Sequence, residues 1–255
     1  MAIAAGSRVR PGEVVLVVGG AALLAGSWVI VAAKGDVPPW EKGTFDALNE
    51  LPDALWSVVW APMQLGSLAG SLVVVAVIHM VGRNVRLTLA ALTASLVAWW
   101  SAKGVKALVS RARPGALLSR VNLREHAGGL GYVSGHSAVA FALASVLAPS
   151  LPGRWRPAVY GAATVVALAR VYSGAHLPLD VIGGAGLGVL AGTLSRWAFG
   201  LGGEGLPPRP AARYEASELW ASAAQRSGKA AAQRYRVAAD SGQFRSLLDQ
   251  TAPLE

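Results

Sequence analysis

Long uncharged runs constrain the fold of this chain more than any other feature of its sequence. The run from Val14 to Ala33 contains no charged residue, and no charge stands between Asp53 and Arg83. A helix needs roughly 20 mainly apolar residues to cross the hydrocarbon core of a bilayer. The first run therefore predicts a transmembrane helix, and the lack of an obvious small-residue cleavage site favours a retained anchor over a cleaved signal peptide.

Further apolar segments predict five more crossings. Pro62 divides the second uncharged run, which predicts a short interfacial piece at Leu55–Trp60 followed by a crossing helix. The predicted crossings after the first are Met63–Val81, Leu87–Leu108, Ser137–Leu151, Trp155–Tyr172 and Leu179–Phe199. We therefore expect an all-α fold, a bundle of six transmembrane helices, located as a multi-pass protein in the cell membrane among membrane lipids.

The composition supports a membrane protein and argues against other classes. The chain is 53% hydrophobic and only 15% charged, as expected for lipid-embedded helices. Its net charge of +9 could indicate nucleic-acid binding. The basic residues, however, lie in short loops between apolar runs, where positive charge sets membrane orientation, so we expect no nucleic-acid partner. Because the chain has no cysteine, disulfides and thiolate nucleophiles are excluded.

Positive charge in the short loops predicts the orientation of the bundle. Arginines stand before the first predicted span, between the second and third, and between the fourth and fifth, which places both termini in the cytoplasm. The segment Lys34–Asp53 mixes both signs of charge and is interpreted as an external loop. The loop Ser110–Gly135 would also lie outside despite its arginines, which suggests that some of them have a task there. These arginines are Arg111, Arg113, Arg120 and Arg124.

Ionisable residues near the outer ends of spans three to six predict a phosphate site. They are Lys106, Arg113, His136, Arg170, His176 and Asp180. The three cations can clamp phosphate oxygens during phosphoryl transfer. The turn at Ser134 and Gly135 leads into a helix, and its free backbone N–H groups and the helix dipole favour an anion.

Two histidines supply the chemistry in this interpretation. His176 and Asp180 are four residues apart, which brings them towards one face at a helix start. A neutral imidazole oriented by a carboxylate is a competent nucleophile, so His176 is the candidate to take the phosphoryl group. His136 is the candidate general acid for the leaving group and later the base for water. The active site is expected on the extracytoplasmic side.

The three motifs resemble those of the type 2 phosphatidic acid phosphatase family, in the family's order. The first family motif is a Lys followed after six residues by Arg-Pro, and it is matched by Lys106, Arg113 and Pro114. The second is Ser-Gly-His, matched by Ser134, Gly135 and His136. The third is an Arg followed after five residues by His and after three more by Asp, matched by Arg170, His176 and Asp180. Val133 and Ala169 replace the Pro and Ser of many members, and neither change removes a catalytic group. The resemblance implies a reaction without metal or cofactor, with His176 as nucleophile and His136 as proton donor.

The expected substrate is a lipid phosphate or pyrophosphate. A polyprenyl (pyro)phosphate at the outer membrane face suits the predicted external site and short loops, and phosphatidic acid or phosphatidylglycerol phosphate would fit the same pocket. A lipid-phosphate binder or transporter without catalysis is less favoured, because binding alone needs only cations. Soluble haloperoxidases share the motif set by resemblance, but the apolar spans argue against a soluble enzyme.

Residues outside the motifs are given structural interpretations. Arg111 is interpreted as a solvated loop charge, Arg124 and His126 as solvated or in contact with a substrate headgroup, and Lys103 as a snorkelling side chain. His79 is interpreted as structural or interfacial. The glycines of the sixth span are interpreted as helix-packing positions; they are Gly183, Gly184, Gly186, Gly188 and Gly192.

Two domains are predicted. Residues 1–202 form the membrane phosphatase domain, and residues 203–255 form a cytoplasmic tail. Within the tail, Pro207–Pro210 is interpreted as a linker and Tyr214–Asp240 as an exposed amphipathic helix. This helix is expected to contact the membrane surface or a partner rather than to take part in catalysis.

Overall fold

The computed structural model describes residues 9–34 and 36–203, and all regular elements within them are helical. The α-helices are α1 Pro11–Lys34, α2 Pro39–Asn49, α3 Trp56–Met63, α4 Leu68–Gly82, α5 Val85–Val109, α6 Pro114–Leu117, α7 Gly135–Leu147, α8 Arg156–Tyr172 and α9 Pro178–Ala198. The all-α prediction is confirmed for this part of the chain. The predicted linker and tail helix lie outside the described residues.

Three helical segments have the length and composition to cross a membrane. They are Pro11–Ala33, Val85–Leu117 and Pro178–Ala198. A fourth candidate is the pair Asp53–Gly66 and Leu68–Gly82, which is bent by 71° at its break. The segment Gly135–Ser150 is apolar but shorter than these. Among the described residues the structure therefore supports a membrane protein with three or four candidate spans.

The break in the second apolar run lies at Ser67 rather than at Pro62. Pro62 stands inside α3, and the chain bends after a 3₁₀ turn at Gln64–Gly66. The hydroxyl of Ser67 accepts the Gly70 N–H at 2.9 Å and so caps α4. A Cβ on Gly66 would lie 2.6 Å from the carbonyl oxygen of His136. A side chain at Gly66 would therefore clash with the start of α7.

Helix α9 packs against α1, α5 and α7, and its glycines permit the close contacts. A Cβ on Gly184 would lie 2.5 Å from the carbonyl oxygen of Ser134, and one on Gly186 would lie 2.5 Å from that of Gly20. Small residues let helices approach at backbone distance. The interpretation of these glycines as packing positions is confirmed.

The segment interpreted as an external loop contains the 11-residue helix α2. The buried residues of α2 are Glu41, Phe45 and Asn49. Their spacing of four residues forms one stripe along a helix. Through this stripe α2 packs on α8 and α9.

Four helix ends meet beside α2 and position the candidate site. These are the carboxyl-terminal ends of α5 and α8 and the amino-terminal ends of α7 and α9. The N–H of Ser134, before α7, donates to the carbonyl oxygen of Asp180 in α9 at 2.8 Å. Arg113, after α5, donates to the carbonyl oxygen of Ala175, between α8 and α9, at 2.8 Å.

Candidate active site

A cavity of about 350 Å³ lies where these helix ends meet. Six of the eight predicted site residues line it: Lys106, Arg113, Gly135, His136, Arg170 and His176. Ser134 and Asp180 are fully buried and do not line the cavity. The three motifs, separated by up to 74 positions in the chain from Lys106 to Asp180, thus converge on one site.

His176 lies between α8 and α9 and is only 2% exposed. Its Nε2 is 3.5 Å from Nη1 of Arg113, and its Nδ1 is 3.4 Å from Oδ2 of Asp180. A guanidinium can only donate, so this geometry assigns the lone pair to Nε2 and the proton to Nδ1. Burial lowers the pKa of His176 well below its ordinary value, and the positive charges of Lys106, Arg170 and Arg113 lower it further. Both effects favour the neutral imidazole.

Asp180 connects the start of α9 to the histidine. Its Oδ2 accepts the N–H of Leu177 at 2.9 Å, which satisfies one of the free N–H groups at the helix start. The same oxygen faces Nδ1 of His176, while Oδ1 accepts from Nη1 of Arg111 at 2.9 Å. Asp180 thus has hydrogen-bonding partners at both oxygens, and these hold it in place behind the imidazole.

Lys106 and Arg113 hold the loop between α6 and α7 as well as lining the cavity. The Lys106 Nζ donates to the carbonyl oxygens of Leu130 and Gly131, both at 2.8 Å. The Arg113 Nε donates to those of Gly128 and Gly129 at 2.9 and 3.2 Å. The two cations are therefore fixed in position before any substrate binds, which favours electrostatic preorganisation.

Arg170 is 5% exposed and forms an ion pair with Glu125, a cavity residue that the sequence motifs do not indicate. Its Nη1 also lies 3.6 Å from Sδ of Met63. Its Nε is buried and has no hydrogen-bond partner within the described part of the chain. An oxygen ligand in the cavity could satisfy such a donor.

The amino terminus of α7 forms another wall of the cavity. The hydroxyl of Ser134 accepts the Ser137 N–H at 3.4 Å and so caps the helix. Gly135 lines the cavity in its first turn, and His136 packs edge-on against Trp99 with the ring centroids 6.4 Å apart. Direct binding of phosphate by Ser134 stays a prediction.

The sequence predicts a solvated side chain for Arg111, and a solvated side chain or a headgroup contact for Arg124. The structure buries both side chains, each of which is 8% exposed. Arg111 pairs with Glu41 and Asp180. Arg124 pairs with Asp53 and donates to backbone carbonyls of three distant residues, Asn49, Leu51 and Tyr172. These partners lie elsewhere in the chain, so no local pattern reveals them.

Two other ionisable residues, His126 and Lys103, also line the cavity. His126 is exposed, as expected, and also lines the cavity. Lys103 lines the cavity too, with its Nζ 4.5 Å from the ring centroid of Trp100 and 5.5 Å from that of Trp99. The cation is thus held over aromatic faces.

Comparison with known protein families gives a match over the part of the chain that contains this cavity. Residues 84–201 match the family model described as the PAP2 superfamily. No curated protein sequence matches the chain. The matched region contains all three motifs. Over residues 84–201 the chain is thus similar to the PAP2 superfamily.

Two solved structures share the fold. LpxE of Aquifex aeolicus is 24% identical, with 60% of this chain and 92% of that chain covered and a TM-score of 0.56. The first transmembrane PAP2-type phosphatidylglycerolphosphate phosphatase from Bacillus subtilis is 22% identical, with 70% of this chain and 94% of that chain covered and a TM-score of 0.56. At these identities the likeness establishes the fold.

Proposed function

We propose that the chain hydrolyses a lipid phosphate or pyrophosphate through a phosphohistidine on His176. The observation that carries this proposal is the buried imidazole held between a cation and a carboxylate, with Nε2 beside Arg113 and Nδ1 beside Asp180. In this proposal the nucleophile and the phosphate clamp line one cavity, and the orienting carboxylate of Asp180 lies directly behind the nucleophile.

In the first step, Lys106, Arg113 and Arg170 bind the phosphate oxygens together with the N–H groups at the start of α7. The lone pair on Nε2 of His176 attacks phosphorus as the bond to the leaving oxygen breaks. His136 gives its proton to that oxygen. The ring of His176 becomes positively charged, and Asp180 stabilises this charge through Nδ1–H.

In the second step, water attacks the phosphohistidine. His136, now neutral, accepts the proton of the water. The phosphorus–nitrogen bond breaks, its electron pair returns to Nε2, and inorganic phosphate leaves. The net reaction consumes one water for each phosphate released, and both histidines return to their starting protonation states.

The preferred substrate in this proposal is a polyprenyl (pyro)phosphate, which suits a site at the outer membrane face. Phosphatidic acid and phosphatidylglycerol phosphate form the second candidate class, supported by the fold shared with the phosphatidylglycerolphosphate phosphatase from Bacillus subtilis. Purified protein should be assayed against a panel of both classes. A higher kcat/KM for the polyprenyl compounds supports the first choice, and a higher value for the glycerolipids overturns it.

The proposed topology has six crossings, made by α1, the bent pair α3–α4, α5, α7, α8 and α9. The arginines of the short loops support it by placing both termini in the cytoplasm. Four helix ends then meet on the extracytoplasmic side and carry the site. In this proposal the tail, residues 203–255, lies on the cytoplasmic side. The proposal also places the end of the membrane domain at residue 202.

Single cysteines should test this topology directly, because the chain has none of its own. Arg120 and Arg154 are exposed and stand on either side of α7. In intact cells, R120C should react with a membrane-impermeant thiol reagent, and R154C should react only after permeabilisation. Equal labelling of both cysteines in intact cells would contradict a crossing by α7 in this orientation.

Activity should survive strong chelators. Within residues 9–34 and 36–203, no group of three His, Asp or Glu side chains could hold a metal ion. The proposed charge stabilisation comes from fixed cations instead. Initial rates should be equal with and without millimolar EDTA. A loss that added Mg²⁺ or Mn²⁺ restores would contradict the proposed chemistry.

A further inference from the structure

A buried ion cluster lies behind the histidine, outside the cavity lining. Glu41 of α2 is fully buried, and its two carboxylate oxygens accept from Nη1 and Nη2 of Arg111 at 3.1 and 2.6 Å. Oε1 of Glu41 also accepts the Leu179 N–H at 2.9 Å. Glu41 therefore joins α2, the loop after α5 and the first turn of α9.

Arg111 carries this connection to the reacting residues. Its Nη1 is shared between Glu41 and Asp180, and Asp180 in turn faces Nδ1 of His176. Two buried carboxylates thus share one guanidinium, so the cluster carries one surplus negative charge when both are ionised. A buried charge is costly unless it is paired and hydrogen-bonded, and every oxygen in this cluster accepts at least one hydrogen bond.

We propose that Glu41 is a positioning residue for the phosphohistidine reaction, acting through Arg111 and Asp180. This inference rests on the proposed function of His176. Phosphorylation at Nε2 makes the imidazole positive, and the surplus negative charge behind it stabilises that form. Without Glu41, Arg111 would neutralise Asp180 and weaken this stabilisation. Since Glu41 does not line the cavity, its effect should fall on kcat rather than on KM.

The test compares Glu41→Gln with Glu41→Asp in detergent, with farnesyl pyrophosphate as substrate. Glu41→Gln keeps the shape and removes the charge, and it should lower kcat about 10-fold to 100-fold, by analogy with residues that orient the histidine ligands of metal sites. KM should change by less than about threefold. Glu41→Asp keeps the charge but shortens the side chain, so it should retain more activity than Glu41→Gln even if its Tm is lower.

The control is Glu13→Gln, which removes a carboxylate that is 8% exposed and accepts the Gly203 N–H beyond the far end of α9. This variant should keep wild-type kcat and KM. If Glu41→Gln fails to fold, Arg111→Lys provides the second test, because an ammonium keeps the charge but cannot form the same bidentate contacts. It should also lower kcat.

The outcomes separate this inference from the proposed function. Suppose that His176→Ala is inactive in the same assay. A wild-type kcat in folded Glu41→Gln then overturns the role of the cluster. If Glu41→Gln does not fold, a wild-type kcat in Arg111→Lys overturns it. A loss confined to KM, or lower kcat in Glu41→Asp than in Glu41→Gln, also overturns it. Turnover by His176→Ala instead refutes the proposed function itself.

Discussion

His176→Ala should abolish turnover, with a loss on the order of 10⁴-fold or more. The substitution removes the proposed nucleophile. His136 does not replace it, because His136 is needed to protonate the leaving group. Initial rates on a polyprenyl pyrophosphate and on phosphatidic acid should both fall to the level of the assay blank. Because His176 is buried, Tm in detergent should be measured for each variant to separate lost chemistry from lost structure.

His79→Ala is the matched control for this loss. His79 is exposed in α4, and its Nδ1 lies 3.3 Å from the Thr88 hydroxyl, away from the cavity. The variant removes the same side chain from a helix without touching the proposed machinery, so it should keep wild-type kcat. A folded His176→Ala enzyme with activity near that of His79→Ala would contradict covalent catalysis.

His136→Ala should reduce turnover by about 10² to 10⁴, the range expected for loss of general acid–base catalysis. The reduction should depend on the substrate. A phosphate group leaves from a pyrophosphate more readily than an alkoxide leaves from a monoester, so the monoester should suffer the larger loss. With the pyrophosphate, hydrolysis should become the slower step and the phosphoenzyme should accumulate.

The measurement for His136 is rapid-quench kinetics on both substrates. A burst of product followed by slow turnover is expected for the pyrophosphate alone, because its first step depends less on the acid. Asp180→Asn should retain more activity than His176→Ala, since it weakens the orientation of the imidazole but keeps the nucleophile. Equal losses on monoester and pyrophosphate in His136→Ala would contradict its role as proton donor to the leaving group.

Much of the fold and site follows from local sequence patterns. Each motif stands at the end of an apolar run, and such runs form helices in lipid because the backbone must satisfy its own hydrogen bonds. Each of the three motifs places charged residues at a helix end. The charges of all three motifs can be stabilised together only where these helix ends meet. This is why the shared cavity of Lys106, His136 and His176 was predictable from the sequence, and why the structure brings them together.

The partners of the motif residues were not predictable in the same way. Glu41 lies 70 positions from Arg111, and it stands in a segment whose mixed charges resemble a loop. The spacing of Glu41, Phe45 and Asn49 is the one signal that could have indicated a buried helix face. Glu125 gives no such signal, because its role arises only from the approach of Arg170.

The covalent phosphohistidine intermediate on His176 can be measured directly. Protein quenched rapidly during turnover of a ³²P-labelled substrate should carry phosphate that is labile to acid and stable to base. Peptide mapping should place this phosphate on His176, and His176→Ala should carry none. Phosphate mapped to His136 would contradict the proposed mechanism. Steady turnover with no phosphoenzyme at any quench time, in either the wild type or His136→Ala, would also contradict it.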